Sequence, residues 1–160
     1  MASSLSRRRL IGWLGASVAG GALAACSSKA EAYPVSYSDA EWRRRLTAEQ
    51  YAVLRQSDTE VPGTSPLLYE HRRGTFVCAA DGNPLYDSST KFDSHTGWPS
   101  FWRPLPRAVA TRTDWATGTP RTEVHCTRCG GHLGHVFDDG PRPTGKRYCM
   151  NGDAMLFRPA

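Results

Sequence analysis

A chain of 160 residues, 39% hydrophobic and 22% charged, has room for one compact domain and a short appendage. Its net charge of +5 is largely terminal: residues 1–25 hold Arg7, Arg8 and Arg9 and no acid, and the remainder carries 17 basic against 15 acidic residues. Those bases are scattered among acids and form no stripe with interleaved aromatics, which argues against nucleic acid as a partner.

The first element is an address. Three arginines precede an apolar, Gly/Ala-rich stretch that stops at Leu23, Ala24, Ala25 and Cys26, the n-region, h-region and cleavage layout of a secretory signal. The apolar run at 10–25 is shorter than the ~20 residues that cross a bilayer, so it is not a membrane span. Adjacent arginines before such a run resemble a twin-arginine export signal, and Leu-Ala-Ala-Cys resembles a bacterial lipobox. That resemblance implies removal of residues 1–25 and a lipid on Cys26. An ordinary signal peptide with a chance cysteine is the alternative. Ser27 after Cys26, with no Asp there, implies outer-membrane sorting if the host is Gram-negative. Residues 26–36, rich in Ser, Ala and Pro, then read as the lipidated cysteine and a flexible tether.

The domain is expected over 37–158. Ser38 with Glu41, and Thr47 with Gln50, match capping boxes and predict two short helices. Trp42 and Leu46 would share a face of the first, and Tyr51 and Leu54 a face of the second, as core anchors. Pro and Gly at 61–66 end helical territory. Short apolar or aromatic runs at 75–78, 109–112, 121–125, 133–137 and 148–157 are separated by Gly, Pro, Asp and Asn clusters, so the bulk should be antiparallel β.

Within these elements the chemistry-bearing residues cluster. Cys78-Ala-Ala-Asp81 and Cys126-Thr-Arg-Cys129 share one spacing; a lone CxxC can be a metal site, a redox disulfide or chance, and zinc also accepts Asp oxygen. The segment 91–102 is dense in aromatics yet carries Gly97 and Pro99, so it reads as a shaped loop on which Trp98 could wall a small apolar group. In Gly-His-Leu-Gly-His-Val-Phe at 131–137, strict alternation would send His132 and His135 to opposite faces. A bend at Gly134 would instead bring both imidazoles to one pocket, where they could deliver protons. In Arg-Tyr-Cys-Met-Asn at 147–151 the side chains of Arg147, Cys149 and Asn151 would share a face. A guanidinium there would favour the nucleophilic thiolate; a half-buried strand with a structural cysteine is the bland alternative.

Taken together, Gly-Trp-Pro-Ser-Phe at 97–101, Arg-Thr-Glu-Val at 121–124, His-Leu-Gly-His-Val-Phe at 132–137 and Arg-Tyr-Cys-Met-Asn at 147–151 closely resemble the B-type methionine sulfoxide reductases in order and spacing. The resemblance implies a mainly β (α+β) fold, with two antiparallel sheets around the active site and short N-terminal helices. It implies reduction of methionine-R-sulfoxide, with Cys149 as the nucleophile passing through a sulfenic acid. His132, His135 and Asn151 would bind and protonate the departing oxygen, Trp98 would pack the S-methyl group, Arg147 would hold the thiolate, and Asp139 matches a further active-site position. Many members place a resolving cysteine just before Gly-Trp-Pro, where this chain has Thr96, so either a thioredoxin-like donor attacks directly or Cys78, Cys126 or Cys129 serves through exchange. Zinc-bearing members carry two CxxC pairs; here Asp81 replaces one thiol, which implies a structural Cys3Asp zinc site, the alternative being loss of zinc with the thiols left for redox use, and no organic cofactor. Export would make oxidised methionine in envelope proteins the substrate of a monomeric, membrane-anchored enzyme. Two rival readings are a non-catalytic zinc-ribbon-like lipoprotein and a cysteine hydrolase, the latter lacking any visible oxyanion hole.

Overall fold

The computed structural model describes residues 32–160; the signal at 1–25, Cys26 and residues 27–31 lie outside the described residues. Contact with the domain begins at Tyr33, upstream of residue 37. Val35 N–H donates to the Arg128 carbonyl at 2.8 Å, and the Tyr33 ring meets His125 edge-on with centroids 6.0 Å apart. The last residues of the expected tether are therefore seated on the domain.

Two helices follow, α1 (Asp39–Arg45) and α2 (Ala48–Gln56). At α2 the capping box closes both ways: Thr47 Oγ1 accepts from Gln50 N–H, and Gln50 Oε1 accepts from Thr47 N–H. At α1 only half forms. Ser38 accepts from Glu41 N–H, but the Glu41 carboxylate turns to Arg44 and Arg45, whose positive charge competes for it. Trp42, Leu46, Tyr51 and Leu54 are all buried, as their spacing requires.

The described residues form nine strands: β1 (Gly74–Cys78), β2 (Pro84–Asp87), β3 (Lys91–Phe92), β4 (Ser100–Phe101), β5 (Val109–Asp114), β6 (Arg121–Cys126), β7 (His132–Phe137), β8 (Arg147–Met150) and β9 (Met155–Pro159). They pair antiparallel in a three-stranded sheet, β2-β1-β9, and a six-stranded sheet, β3-β4-β8-β7-β6-β5. This is the expected mainly β architecture with short helices N-terminal to it. Two details differ from the sequence reading. The run at 148–157 is two strands in different sheets, because the chain turns at Asn151 through a 3-10 turn, Gly152–Ala154. Strands β2, β3 and β4 are two to four residues long, too short for alternation to show.

Aromatic rings fill the space between the sheets. Phe101 of β4 stacks on Tyr86 of β2 at 4.3 Å and meets Phe76 of β1 edge-on at 4.9 Å, while Tyr86 donates its hydroxyl proton to Met150 Sδ at 3.1 Å. Each ring so buried contributes about 1.5–3 kcal/mol. With Phe101 and Met150 turned inward, their neighbours Ser100 and Cys149 project from the other face.

Register then aligns a row across all six strands of the larger sheet. Arg112 lies opposite Glu123, Glu123 opposite His135, His135 opposite Cys149, Cys149 opposite Ser100 and Ser100 opposite Phe92. His132 joins this face through a bulge: Val124 pairs with Gly134 and His125 with His132, leaving Leu133 as the extra residue. The bulge depends on Gly134, at φ +154°, where an added Cβ would stand 2.2 Å from the Cys149 carbonyl oxygen. Gly134→Ala is expected to destabilise the fold by at least ~2 kcal/mol. Urea unfolding checks this; a variant as stable as the wild type would show that the bulge tolerates a side chain.

Candidate active site and metal centre

A cleft of about 110 Å³ opens on the outward face of the six-stranded sheet, lined by Thr59, Trp98, Arg121, Gly134, His135, Phe137, Cys149 and Asn151. Four of the expected site residues, Trp98, His135, Cys149 and Asn151, thus meet at one surface. His132 stands behind His135, ring centroids 5.3 Å apart, and is buried. A larger cleft of about 560 Å³, bordered by Tyr69, Lys91, Asp93 and His95, contains no cysteine in its lining.

Cys149 is half-buried, and its sulfur lies 3.8 Å from Thr96 Oγ1. That hydroxyl continues a chain through Ser94 at 2.8 Å to Ser100 at 2.7 Å. Arg147, two residues before Cys149 on the same face, is gripped by Asp139 through two bonds of 2.9 and 2.8 Å and lies 4.4 Å over the Phe137 ring. Asp139 chiefly, with Cys149 adding to it, holds the guanidinium's pKa above its ordinary value. Asp139 itself does not line the cleft; its side chain is 61% exposed, and its contact is with Arg147.

Each histidine is backed by a carboxylate that sequence reasoning did not single out. His132 Nδ1 lies 2.9 Å from Glu123 Oε1, and His135 Nε2 lies 2.8 Å from Asp114 Oδ2. An ionised carboxylate only accepts, so the ring nitrogen facing it carries the proton. Burial alone would raise the Glu123 carboxyl, but its bonds to His132 and the Arg112 guanidinium outweigh burial and hold it at about 2. Asp114 is held well below the usual carboxylate range by the Ala116 N–H first, then by His135 and Arg121. Burial pushes His135 down, and the bond to Asp114 pulls the other way. His132 Nε2 is buried without a hydrogen-bond partner among the described residues, leaving a second ring nitrogen to serve an oxygen in the site. The available sequence signal was the acid at 123 inside the Arg-Thr-Glu-Val segment; Asp114, in a turn-flanking position, carried none.

The remaining walls converge on Glu60, also missed. Trp98 Nε1 donates to the Glu60 carbonyl at 3.2 Å, and Asn151 Oδ1 accepts from Glu60 N–H at 3.1 Å.

Away from this cleft, Cys78, Asp81, Cys126 and Cys129 place one ligand atom each within 4.8 Å of one another, and all but Asp81 are buried residues. Two turns of the same construction present them. Gly82 and Gly130 take left-handed φ of +69° and +68° and donate N–H to the carbonyls of Cys78 and Cys126, at 2.8 and 2.9 Å. Asn83 N–H donates to Asp81 Oδ1 at 2.9 Å just as Gly131 N–H donates to Cys129 Sγ at 3.4 Å, so Asp81 stands where the other turn has a thiol. Tetrahedral zinc with bonds of about 2.3 Å to sulfur and 2.0 Å to oxygen sets ligands about 3.8 Å apart for S–S and 3.5 Å for S–O. Cys78 and Cys129 sulfurs are 3.8 Å apart, and Cys126 sulfur is 3.6 Å from Asp81 Oδ2. Neighbouring sulfurs and burial push the Cys78 thiol up and Cys129 to about 12, and burial pushes Asp81 up. Full ionisation of such a set calls for a compensating cation. These four residues could hold a zinc ion.

The SelR domain model matches residues 46–159. The chain is 52% identical over 126 residues to a peptide methionine sulfoxide reductase MsrB of Agrobacterium fabrum, covering 78% of this chain and 93% of that protein. It is 56% identical over 129 residues to one from Leifsonia xyli subsp. xyli, covering 79% and 93%, and 50% identical over 127 residues to one from Leptospira interrogans, covering 79% and 97%.

Protein prepared without chelator is expected to carry about one equivalent of zinc by elemental analysis, Asp81→Ala several-fold less, and Asp81→Cys to resist chelator at least about tenfold longer. Less than a tenth of an equivalent in the wild type would overturn the metal assignment.

Proposed function

The chain belongs to the SelR domain family, and we infer from that membership and from the cleft that it reduces methionine-R-sulfoxide in proteins to methionine, as a peptide-methionine (R)-S-oxide reductase. The observation that carries the reading is one cysteine, Cys149, set among an indole, an imidazole and an amide in a cleft of side-chain size.

In this reading the Cys149 thiolate attacks the sulfoxide sulfur while the methyl group packs against Trp98. Asn151 donates to the sulfoxide oxygen, and His132 and His135, backed by Glu123 and Asp114, supply protons to it. The net step moves one oxygen: methionine sulfur gains two electrons, Cys149 loses two, and Cys149 is left as a sulfenic acid. Arg147, oriented by Asp139, sets a positive charge two residues before the nucleophile on the same strand.

Regeneration takes an external thiol. Cys126 is on β6 and Cys149 on β8, with β7 between, so their strands run about 9.6 Å apart, beyond the reach of a disulfide. Cys78 is in the other sheet, Cys129 Sγ stands beside Cys78 Sγ at 3.8 Å in the Cys3Asp cluster, and the residue beside Cys149 is Thr96. A thioredoxin-like dithiol therefore attacks the sulfenic acid, releasing water and forming a mixed disulfide, and its second thiol then displaces Cys149. A zinc ion held by Cys78, Asp81, Cys126 and Cys129 would serve as a structural crosslink between the ends of β1 and β6.

The same reading places the enzyme outside the cytoplasm. Arg7 and Arg8 direct export, Cys26 carries the lipid, and oxidised envelope proteins are the clients of a monomeric enzyme in the periplasm, at the outer membrane in a Gram-negative host.

With dithiothreitol as reductant, turnover of the R-sulfoxide of a methionine peptide and not the S epimer is expected, lost at least 10³-fold in Cys149→Ser. One turnover without reductant should leave a sulfenic acid at Cys149, trapped by dimedone; turnover of the S epimer, or a folded protein inert to both, would sink the assignment. In a host expressing the full chain, Cys26→Ala should release the enzyme from membranes and change its processed mass; unchanged fractionation would refute the anchor.

A further inference from the structure

We propose that Glu60 is a positioning residue that sets two opposite walls of the cleft at once, the Trp98 indole and the Asn151 amide. The proposal rests on the reductase reading of that cleft. Glu60 lies in the connection between α2 and β1, is 9% exposed, and forms no ion pair among the described residues. Its carboxylate is instead spent on two backbone donors, Gly152 N–H at 2.7 Å and Asp153 N–H at 2.9 Å, in the turn that directly follows Asn151. Burying an acid is costly, and here each carboxylate oxygen serves its own donor, Oε1 the Gly152 N–H and Oε2 the Asp153 N–H, an arrangement that an amide of the same shape does not offer.

Anchored in this way, the Glu60 main chain addresses both walls. Its carbonyl receives the Trp98 indole N–H, which fixes the ring where it lines the cleft. Its N–H donates to Asn151 Oδ1, and a donor there can be satisfied only by the amide oxygen. The amide nitrogen is thereby directed the other way: one proton goes to the Leu133 carbonyl at 3.2 Å, and the second is left for an oxygen in the cleft. Asn151 is thus fixed as a donor, the polarity a sulfoxide oxygen requires. Close backbone approach reinforces the strap. Gly63 N–H donates to the Gly97 carbonyl at 2.8 Å, and a Cβ on Gly97 would stand 2.8 Å from Pro62 Cβ. Cys149 is held separately, by the pairing of β8 with β4 and β7.

The test uses the full chain with Glu60→Gln, which keeps the shape but offers one acceptor to two donors, and Glu60→Asp, which keeps the charge but withdraws it by one methylene. For Glu60→Gln, KM for an R-sulfoxide peptide should rise at least about fivefold and kcat/KM fall about 10–100-fold. The peptide concentration that half-protects Cys149 from iodoacetamide should rise in step with KM, while alkylation without peptide stays within about twofold of the wild type. Glu60→Asp should fall between the two, and it decides the matter if Glu60→Gln does not fold. Unchanged KM and protection would overturn the proposal, as would loss of alkylation together with near-ultraviolet dichroism, which would make Glu60 a folding residue only. If the wild type neither turns over nor is protected, the reductase reading fails instead. The positioning claim then stands or falls on whether Glu60→Gln shifts the part of the tryptophan emission that Trp98→Phe removes.

Discussion

At Gly134 the backbone of β7 runs so close to the Cys149 carbonyl that no side chain fits between them, and the active face is organised around that approach. A glycine with positive φ lets β7 carry one extra residue against β6. The extra residue converts the odd spacing of His132 and His135 into a shared face, with His135 opposite Cys149 and His132 behind His135. The same contact fixes Cys149 relative to His135, its direct cross-strand partner. Catalytic geometry here is a consequence of strand register, which is far stiffer than loop placement.

Electrostatics follow from that register. Because Glu123 lies opposite both Arg112 and His135, and Asp114 opposite Arg121, acids and bases alternate across adjacent strands and neutralise one another at the edge of the cleft. Glu123 remains ionised despite burial because the partners that hold it, His132 and Arg112, are on the two neighbouring strands. The positive charge of Arg147 is likewise shared between Asp139 at the surface and Cys149 within.

The Cys3Asp cluster does for the two sheets what the aromatic core does at their centre. One of its turns leaves β1, in the small sheet, and the other leaves β6, in the large one. A single cation bridging both would tie the sheet ends together at a point too small to build a hydrophobic core. The N-terminal arm reaches the same place, with Val35 bonded to Arg128 inside the second turn, so the tether ends where the sheets are joined.

Much of this was legible in one dimension. The capping residues Ser38 and Thr47, the buried helix faces, the common face of Arg147, Cys149 and Asn151, the bend at Gly134 and the paired C-x-x-C and C-x-x-D turns are local patterns, set by dihedral preferences and by periods of 2 and 3.6 residues. What the chain could not show by itself was which distant residues meet. Glu60 supports Asn151 across 91 positions, Asp114 meets His135 across 21, and Asp139 faces solvent and Arg147, outside the cleft lining. The split of 148–157 between two sheets was hidden for the same reason. Such partnerships depend on register and on turns whose geometry is set by packing, and a buried carboxylate reveals its role only when the donors it serves are brought to it.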